Sequence, residues 1–562
     1  MTSMNKNLKS LLAIVTVIIM AACTNQEQEL QKLITKIEND VKPLRKEACI
    51  AQWDGSISGK SEDFDRYAQL SQQMTEYYSN KEIFNQLKGF KEGGKINDPI
   101  LKRQLDILYN AFLSNQADTA LLNQIIVKSM ELEKVYGEYR ATLNGKEITD
   151  NDVEDILRTS KNNKELQEVW ESHKNIGPKV EKGLIEIVKL RNMVAQQLGF
   201  SNYHSMSLEL SGQKPEEITA LLDELDSLTS KSFAELKNEM DNAFSKRYNV
   251  KKEELMPWHY QGRYFQEAPN LYPVDLDKYY ADKNLEELTI NFYNSIGMDI
   301  TGMVKNSSLY PQPGKNQHAF CTDIDGYGDV RILCNIAPNE RWMDTMLHEY
   351  GHGVYAQGHD NSNLPYFLRD AAHTFTTEAV AMIFGRLSKN AEWIRQSLGL
   401  TDKEKENIAE NCFKATKLQQ VVFSRWVQVV YRFEKEMYAN PDQDLNALWW
   451  NLVEKYQQLK KPAGRNMPDY ATKIHIALYP CYYHNYQLGE LFASQMHYYI
   501  VNNITKSNDI SNECYIGNKE IGKWMQENIF APGMKWEWNE FIERATGEKL
   551  TAKYYAQQFN LN

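Results

Sequence analysis

Apolar residues recur three and four positions apart through most of the chain, so long amphipathic helices are its dominant expected element. The clearest stretch carries Met343, Met346, Leu347, Tyr350 and Val354. It follows a strand end and turn at Ile336-Ala337-Pro338, with Asn339 as the predicted helix N-cap. Just upstream the pattern changes to that of strands. His318–Ile324 and Asp329–Cys334 read as two strands around an Asp325-Gly326-Tyr327-Gly328 turn, which predicts a hairpin beside the helix. Glycine and proline are scattered and no fixed-period repeat stands out. Neither a linker nor a solenoid is expected.

The N-terminus follows another pattern. Lys6 and Lys9 precede an apolar run from Leu11 to Met20, then Ala21-Ala22-Cys23. A basic start and a short apolar run predict a secretory signal, too short for a confident membrane span. The small residues before Cys23 resemble a bacterial lipobox, with Met20 in place of the usual leucine. The expected organisation is a lipoprotein signal peptide at 1–22, a tether at 23–35 lipid-anchored through Cys23, and one domain at 36–562. An uncleaved signal anchor is the other option. The expected location is the bacterial cell envelope, periplasmic or surface-exposed, with the chain a monomer.

A formal net charge of −11 argues against nucleic acid as the main partner. Cysteines 49, 321, 334, 412, 481 and 514 fix no pairing by their spacing, and none matches a zinc-cysteine site. Cys321 and Cys334 could face each other across the hairpin or be free buried thiols.

The chemistry sits in the predicted helix, where residues 348–352 read His-Glu-Tyr-Gly-His. On a helix, residues four apart share a face, so His348 and His352 can grip one metal ion while Glu349 stands beside it. Two histidines, a third ligand and an open fourth position are how one zinc ion is held for hydrolysis. The third ligand should lie downstream. Glu378 falls in the apolar stretch Thr376–Met382, where an unpaired carboxylate would be costly, and it is favoured; His359 is the rival. The hairpin offers an edge strand to an extended peptide. Near the C-terminus, Lys473-Ile474-His475 precedes Tyr482-Tyr483-His484-Asn485-Tyr486. Phenol and imidazole donors there suit an oxyanion.

Together these pieces resemble the peptidyl-dipeptidase A family, the angiotensin-converting-enzyme-like zinc metallopeptidases, and more distantly the thimet oligopeptidase family. The likeness runs from Ala51-Gln52-Trp53 to the Lys473–Gln495 region. It is strongest across His318-Ala319, Asp329–Ile332, His348–His352 and Leu368–Ala379, where the spacing supports Glu378 over His359. The resemblance implies a mainly α, two-lobed fold around a deep channel, with a gluzincin zinc site and a small hairpin beside the zinc helix. It implies His348, His352 and Glu378 as ligands and Glu349 as general base and then acid. It gives His318 and Ala319 to the strand that holds substrate backbone, and His475 and Tyr486 to oxyanion stabilisation. Lys473 and Tyr483 would clamp a free C-terminal carboxylate.

Several positions depart from the family pattern. Asn485 stands where the family has an arginine tied to chloride activation, and Met382 where it has an aspartate that orients a zinc histidine. One extra residue lies between His475 and Tyr486. The glutamine of the clamp has no secure equivalent, Gln261 being a weak candidate. The implied activity is zinc-dependent hydrolysis of short peptides with release of C-terminal dipeptides. The alternatives are an oligoendopeptidase on the same scaffold and a non-catalytic peptide-binding lipoprotein.

Overall fold

The computed structural model describes residues 2–359 and 363–561, with side chains from residue 26 onward. The signal segment 1–22 and Cys23 therefore lie outside the residues whose side chains are described. The chain is mainly helical. The helices that build the site and its supports are α1 (Thr2–Ser58), α2 (Lys81–Gly93), α3 (Pro99–Leu113), α4 (Glu340–Gly358), α5 (Thr374–Gly385), α6 (Asp402–Ala439), α7 (Ile474–Leu478) and α8 (His484–Tyr499). Among the described residues there are two antiparallel hairpins, β1 (Ala141–Leu143) with β2 (Lys146–Ile148), and β3 (Phe320–Asp323) with β4 (Val330–Leu333). No helix of the described residues is long and apolar enough to cross a membrane.

The stretch expected as a tether joins the packed domain instead. Leu30, Leu33, Ile34, Ile37 and Val41 repeat at helical spacing along α1 and are buried against Ile83 and Leu87 of α2 and Leu101, Leu105 and Leu108 of α3. Packing thus begins by Leu30 rather than at 36, because that apolar stripe has two helices to cover it. Further along α1, Trp53 meets Phe320 of β3 edge to face at 6.2 Å and packs on Ile324 and Leu333.

Helix α4 starts where the sequence places it, with the Asn339 side chain accepting from Trp342 N–H. Met343, Met346, Leu347, Tyr350 and Val354 are all buried in the main core. Truncating Leu347 to alanine would cost about 2–5 kcal/mol, the usual range for a core leucine. Two glycines set the depth of the packing. A Cβ on Gly351 would stand 2.8 Å from Ala381 Cα, so α4 and α5 approach more closely there than any side chain permits. A Cβ on Gly489 of α8 would meet Glu378 Cβ and Met382 Sδ, each at 3.2 Å. The helices α4, α5 and α8 therefore stack in close contact through two residues that lack side chains.

The β3–β4 register pairs Cys321 with Ile332 and Phe320 with Leu333, so the two hairpin cysteines do not stand opposite each other. All six cysteines with described side chains are free thiols.

Candidate active site

His348 and His352 project from one face of α4, one turn apart, with their Nε2 atoms 3.2 Å from each other. From α5, the Glu378 carboxylate reaches the same point, its Oε2 lying 3.7 Å from His348 Nε2 and 3.9 Å from His352 Nε2. Zinc bonds of about 2.0–2.1 Å in a tetrahedron place ligand atoms about 3.3–3.4 Å apart. The triangle is that size to within about 0.6 Å. Its donors are the right kind as well. Burial lowers His348 to about 4; burial, with His348 beside it, lowers His352 to about 3. Both rings are neutral at pH 7 and carry lone pairs, whereas burial pushes the Glu378 carboxyl up to about 7. Two facing lone pairs and a half-buried carboxylate call for a cation, and a bound divalent ion would restore the carboxylate's charge. Among the described residues this is the one group of three metal-type side chains whose ligand atoms all lie within 4.8 Å of one another. His359, the rival third ligand, sits instead at the C-cap of α4 against the Tyr355 ring.

The position taken by Met382 left open which group orients His352. The structure answers with Thr377, whose Oγ1 lies 2.8 Å from His352 Nδ1. A histidine that donates Nδ1–H to such an oxygen holds its Nε2 lone pair toward the ligand centre. Sequence reasoning missed this residue, although it directly precedes Glu378 and so faces α4 from the same turn of α5.

Glu349 is buried between α4 and the hairpin, where the Cys321 backbone N–H donates to its carboxylate. Burial, and then the Glu378 charge, raise it to about 8. Strand β3 pairs with β4 along one edge, and among the described residues no strand pairs with the other. His318 and Ala319 come immediately before β3, the first exposed and the second half-buried.

A second group forms around Lys473, the N-cap residue of α7. Its ammonium donates to Gln266 Oε1 at 2.7 Å, and the Tyr483 hydroxyl donates to the same oxygen at 3.4 Å. The ring centroids of Tyr264, Tyr483 and Trp426 lie 5.1, 5.5 and 5.8 Å from Lys473 Nζ. Burial, with Arg263 nearby, lowers this lysine to about 8. Among the described residues no carboxylate forms an ion pair with it. Aromatic rings and a neutral amide oxygen thus surround this buried ammonium. The glutamine that bonds both Lys473 and Tyr483 is Gln266, not Gln261. Gln261 adopts a left-handed backbone with φ 61° and turns its side chain back to accept from Asn270 N–H.

His475 and Tyr486 both pack against Tyr483 of this second group. The His475 ring stands 5.3 Å from that of Tyr483, and burial, then Lys473, lower it to about 4. Tyr486 packs edge to face on both Tyr483 and Tyr482, at 5.4 Å each. Burial, then Tyr482 and Glu378, raise Tyr486 to about 12, so its phenol stays a neutral donor beside the zinc ligands. Tyr482 is a further phenol at this edge, with its hydroxyl 3.4 Å from Thr374 Oγ1, one turn before Glu378. Asn485 points away into a neutral buried network. It accepts from Gln213 Nε2 at 2.8 Å, and Gln213 Oε1 lies 2.7 Å from His484 Nε2.

Comparison with known proteins agrees with this geometry. The chain is 22% identical over 571 residues to an angiotensin-converting enzyme of Theromyzon tessulatum, covering 95% of this chain and 91% of that one. Against an angiotensin-converting enzyme of Mesocricetus auratus it is 22% identical over 465 residues, 76% of this chain but 34% of the other. An angiotensin-converting enzyme-like protein Ace3 of Mus musculus is likewise 22% identical, over 73% of this chain and 59% of its own length. The peptidase M2 family model, described as angiotensin-converting enzyme, matches residues 24–560. A match of that extent, with the His348–His352–Glu378 triangle inside it, means that the chain belongs to the angiotensin-converting enzyme family and is a zinc metallopeptidase.

Proposed function

We propose that the protein is a peptidyl-dipeptidase that removes dipeptides from the free C-termini of short peptides. The observation that carries this reading is the Lys473–Gln266–Tyr483 group, a buried ammonium with no carboxylate partner among the described residues, tied through Tyr483 to Tyr486 near Glu378. A carboxylate held there would fix the distance from the peptide's end to the cleaved bond.

His348, His352 and Glu378 would hold the zinc ion, which when bound supplies Lewis-acid polarisation of the scissile carbonyl and a water of lowered pKa. Glu349 takes the proton from the attacking water and delivers it to the leaving amine. His475 and Tyr486 donate hydrogen bonds to the developing oxyanion, where preorganised donors act most strongly. The His318–Ala319 segment and the open edge of β3 pair with substrate backbone. The leader and Cys23 support placing the enzyme on a lipid anchor in the cell envelope, which the mass of the mature N-terminal peptide would test.

The deciding experiment incubates the purified, zinc-loaded protein with one peptide in free-acid form and with its C-terminally amidated twin, and identifies products by mass spectrometry. Dipeptides from the free form alone are expected. Equal internal cleavage of both would make the enzyme an oligoendopeptidase and remove the clamp. No cleavage of either would leave a peptide-binding protein.

A further inference from the structure

The residues assigned to substrate lie on both sides of one turn. Lys473 and His475 come before it, at the start of α7, and Tyr483 and Tyr486 come after it, at the start of α8. Five residues, 479–483, join α7 to α8, and the one residue more than the family pattern falls between His475 and Tyr486. Cys481 takes the left-handed conformation, φ 58°, which a residue with a Cβ adopts only when its surroundings hold it there.

The hold comes from α6. Glu434 is 2% exposed, and its Oε1 accepts the Cys481 N–H at 2.8 Å. The nearest positive charge, Arg191, donates to the Tyr438 hydroxyl at 3.2 Å and packs on the Tyr203 ring. A carboxyl buried this deeply is costly to keep for general packing, and the bond it makes is to the one left-handed residue of the turn. Gln213 fastens the far side, bonding His484 and Asn485. Only Tyr482 and Tyr483 lie between these two anchors.

We propose that Glu434 is a positioning residue for the catalytic centre: through Cys481 it sets the spacing between the Lys473–His475 pair and the Tyr483–Tyr486 pair. It touches no substrate. Its effect is to let the clamp and the oxyanion donors engage one peptide at the same time. This rests on the proposed peptidyl-dipeptidase reading.

The test compares Glu434→Gln with Glu434→Asp in the full-length, zinc-loaded enzyme. Glutamine keeps an acceptor at the same distance from Cys481 N–H, and aspartate withdraws it by one methylene. Glu434→Gln should stay within about twofold of the parent on the free-acid peptide. Glu434→Asp should lose about tenfold to a hundredfold in kcat/KM, with zinc content unchanged, as misplaced catalytic groups do. Its preference for the free-acid peptide over the amidated twin should fall as well, which a loss of folded protein alone would not produce. Alkylation of Cys481, mapped by mass spectrometry, should rise in Glu434→Asp only. If Glu434→Asp fails to fold, Glu434→Asp/Cys481→Gly tests the same link: glycine takes the left-handed conformation without strain, so the double variant should return toward the parent in rate and preference, and a folded double variant with the full loss would overturn the proposal. A parent-like preference and rate in the aspartate variant would overturn the proposal, as would an equal loss in both variants. An unmodified enzyme with no preference would instead overturn the peptidyl-dipeptidase reading, and the difference in rate between the two variants would then decide the role of Glu434.

Discussion

The zinc centre and the Lys473 group are neighbours built on different plans. The proposed zinc ligands come from two helices close in sequence, α4 and α5, which pack without space at Gly351. The Lys473 group gathers a loop residue, Gln266, and the N-cap residues of α7 and α8, which lie about two hundred positions further on. The first plan makes a site rigid through packing between helices. The second makes its geometry depend on turns. Changes at the zinc centre should therefore stop the chemistry, and changes at the lysine should alter which peptides are accepted.

The largest effect belongs to the zinc side. Glu349→Gln should keep zinc and the fold and lose about 10²–10⁴-fold in kcat, the usual contribution of a positioned general base. Parent-like turnover with bound zinc would remove Glu349 from the mechanism. On the clamp side, Lys473→Met should raise KM for free-acid peptides about tenfold to a hundredfold, the loss of one charge-assisted contact, and leave the amidated twin unaffected. An equal change for both peptides would merge the two regions into one. Thr377→Val should weaken zinc about tenfold to a hundredfold while sparing the rate at saturating zinc. Competition with a chelator measures it, and unchanged affinity would leave His352 without its orienting partner.

The smallest effect is a pH limb. Burial and Arg263 bring Lys473 down to about 8, so its charge is present below that pH and lost as pH rises through it. For free-acid peptides kcat/KM should fall about tenfold between pH 7 and 9, relative to the amidated twin. A limb shared by both peptides would assign the titration to another group.

How much of this was legible follows from the same contrast. The zinc helix could be read because helical spacing, an N-cap and His-Glu-x-x-His are local signals, and Asn339, His348 and His352 stand where that pattern puts them. The hairpin was legible from its glycine turn. Gln266 was not, because what brings it to Lys473 is a loop whose Gln261 and Phe265 both adopt positive φ, a conformation that no periodicity encodes. Thr377 was hidden for another reason. A hydroxyl on a helix usually bonds its own backbone, and only the closeness of α4 turns this one toward His352. The early start of the domain was missed because the polar residues Gln26–Glu29 suggested a tether, while the apolar stripe from Leu30 becomes significant only once α2 and α3 are there to cover it.

The glycine at 489 also bears on how such an enzyme could change over generations. With Glu378 Cβ and Met382 Sδ each 3.2 Å from where a methyl would stand, one more carbon on α8 there would press on the proposed metal ligand Glu378. The helix that carries Tyr486 and the helix that carries Glu378 therefore share a tightly packed seam. A heritable change in substrate preference that shifted α8 would disturb metal retention as well. Diversification is freer at a distance from that seam, in the loop that carries Gln266, where new contacts can be tried without moving the zinc.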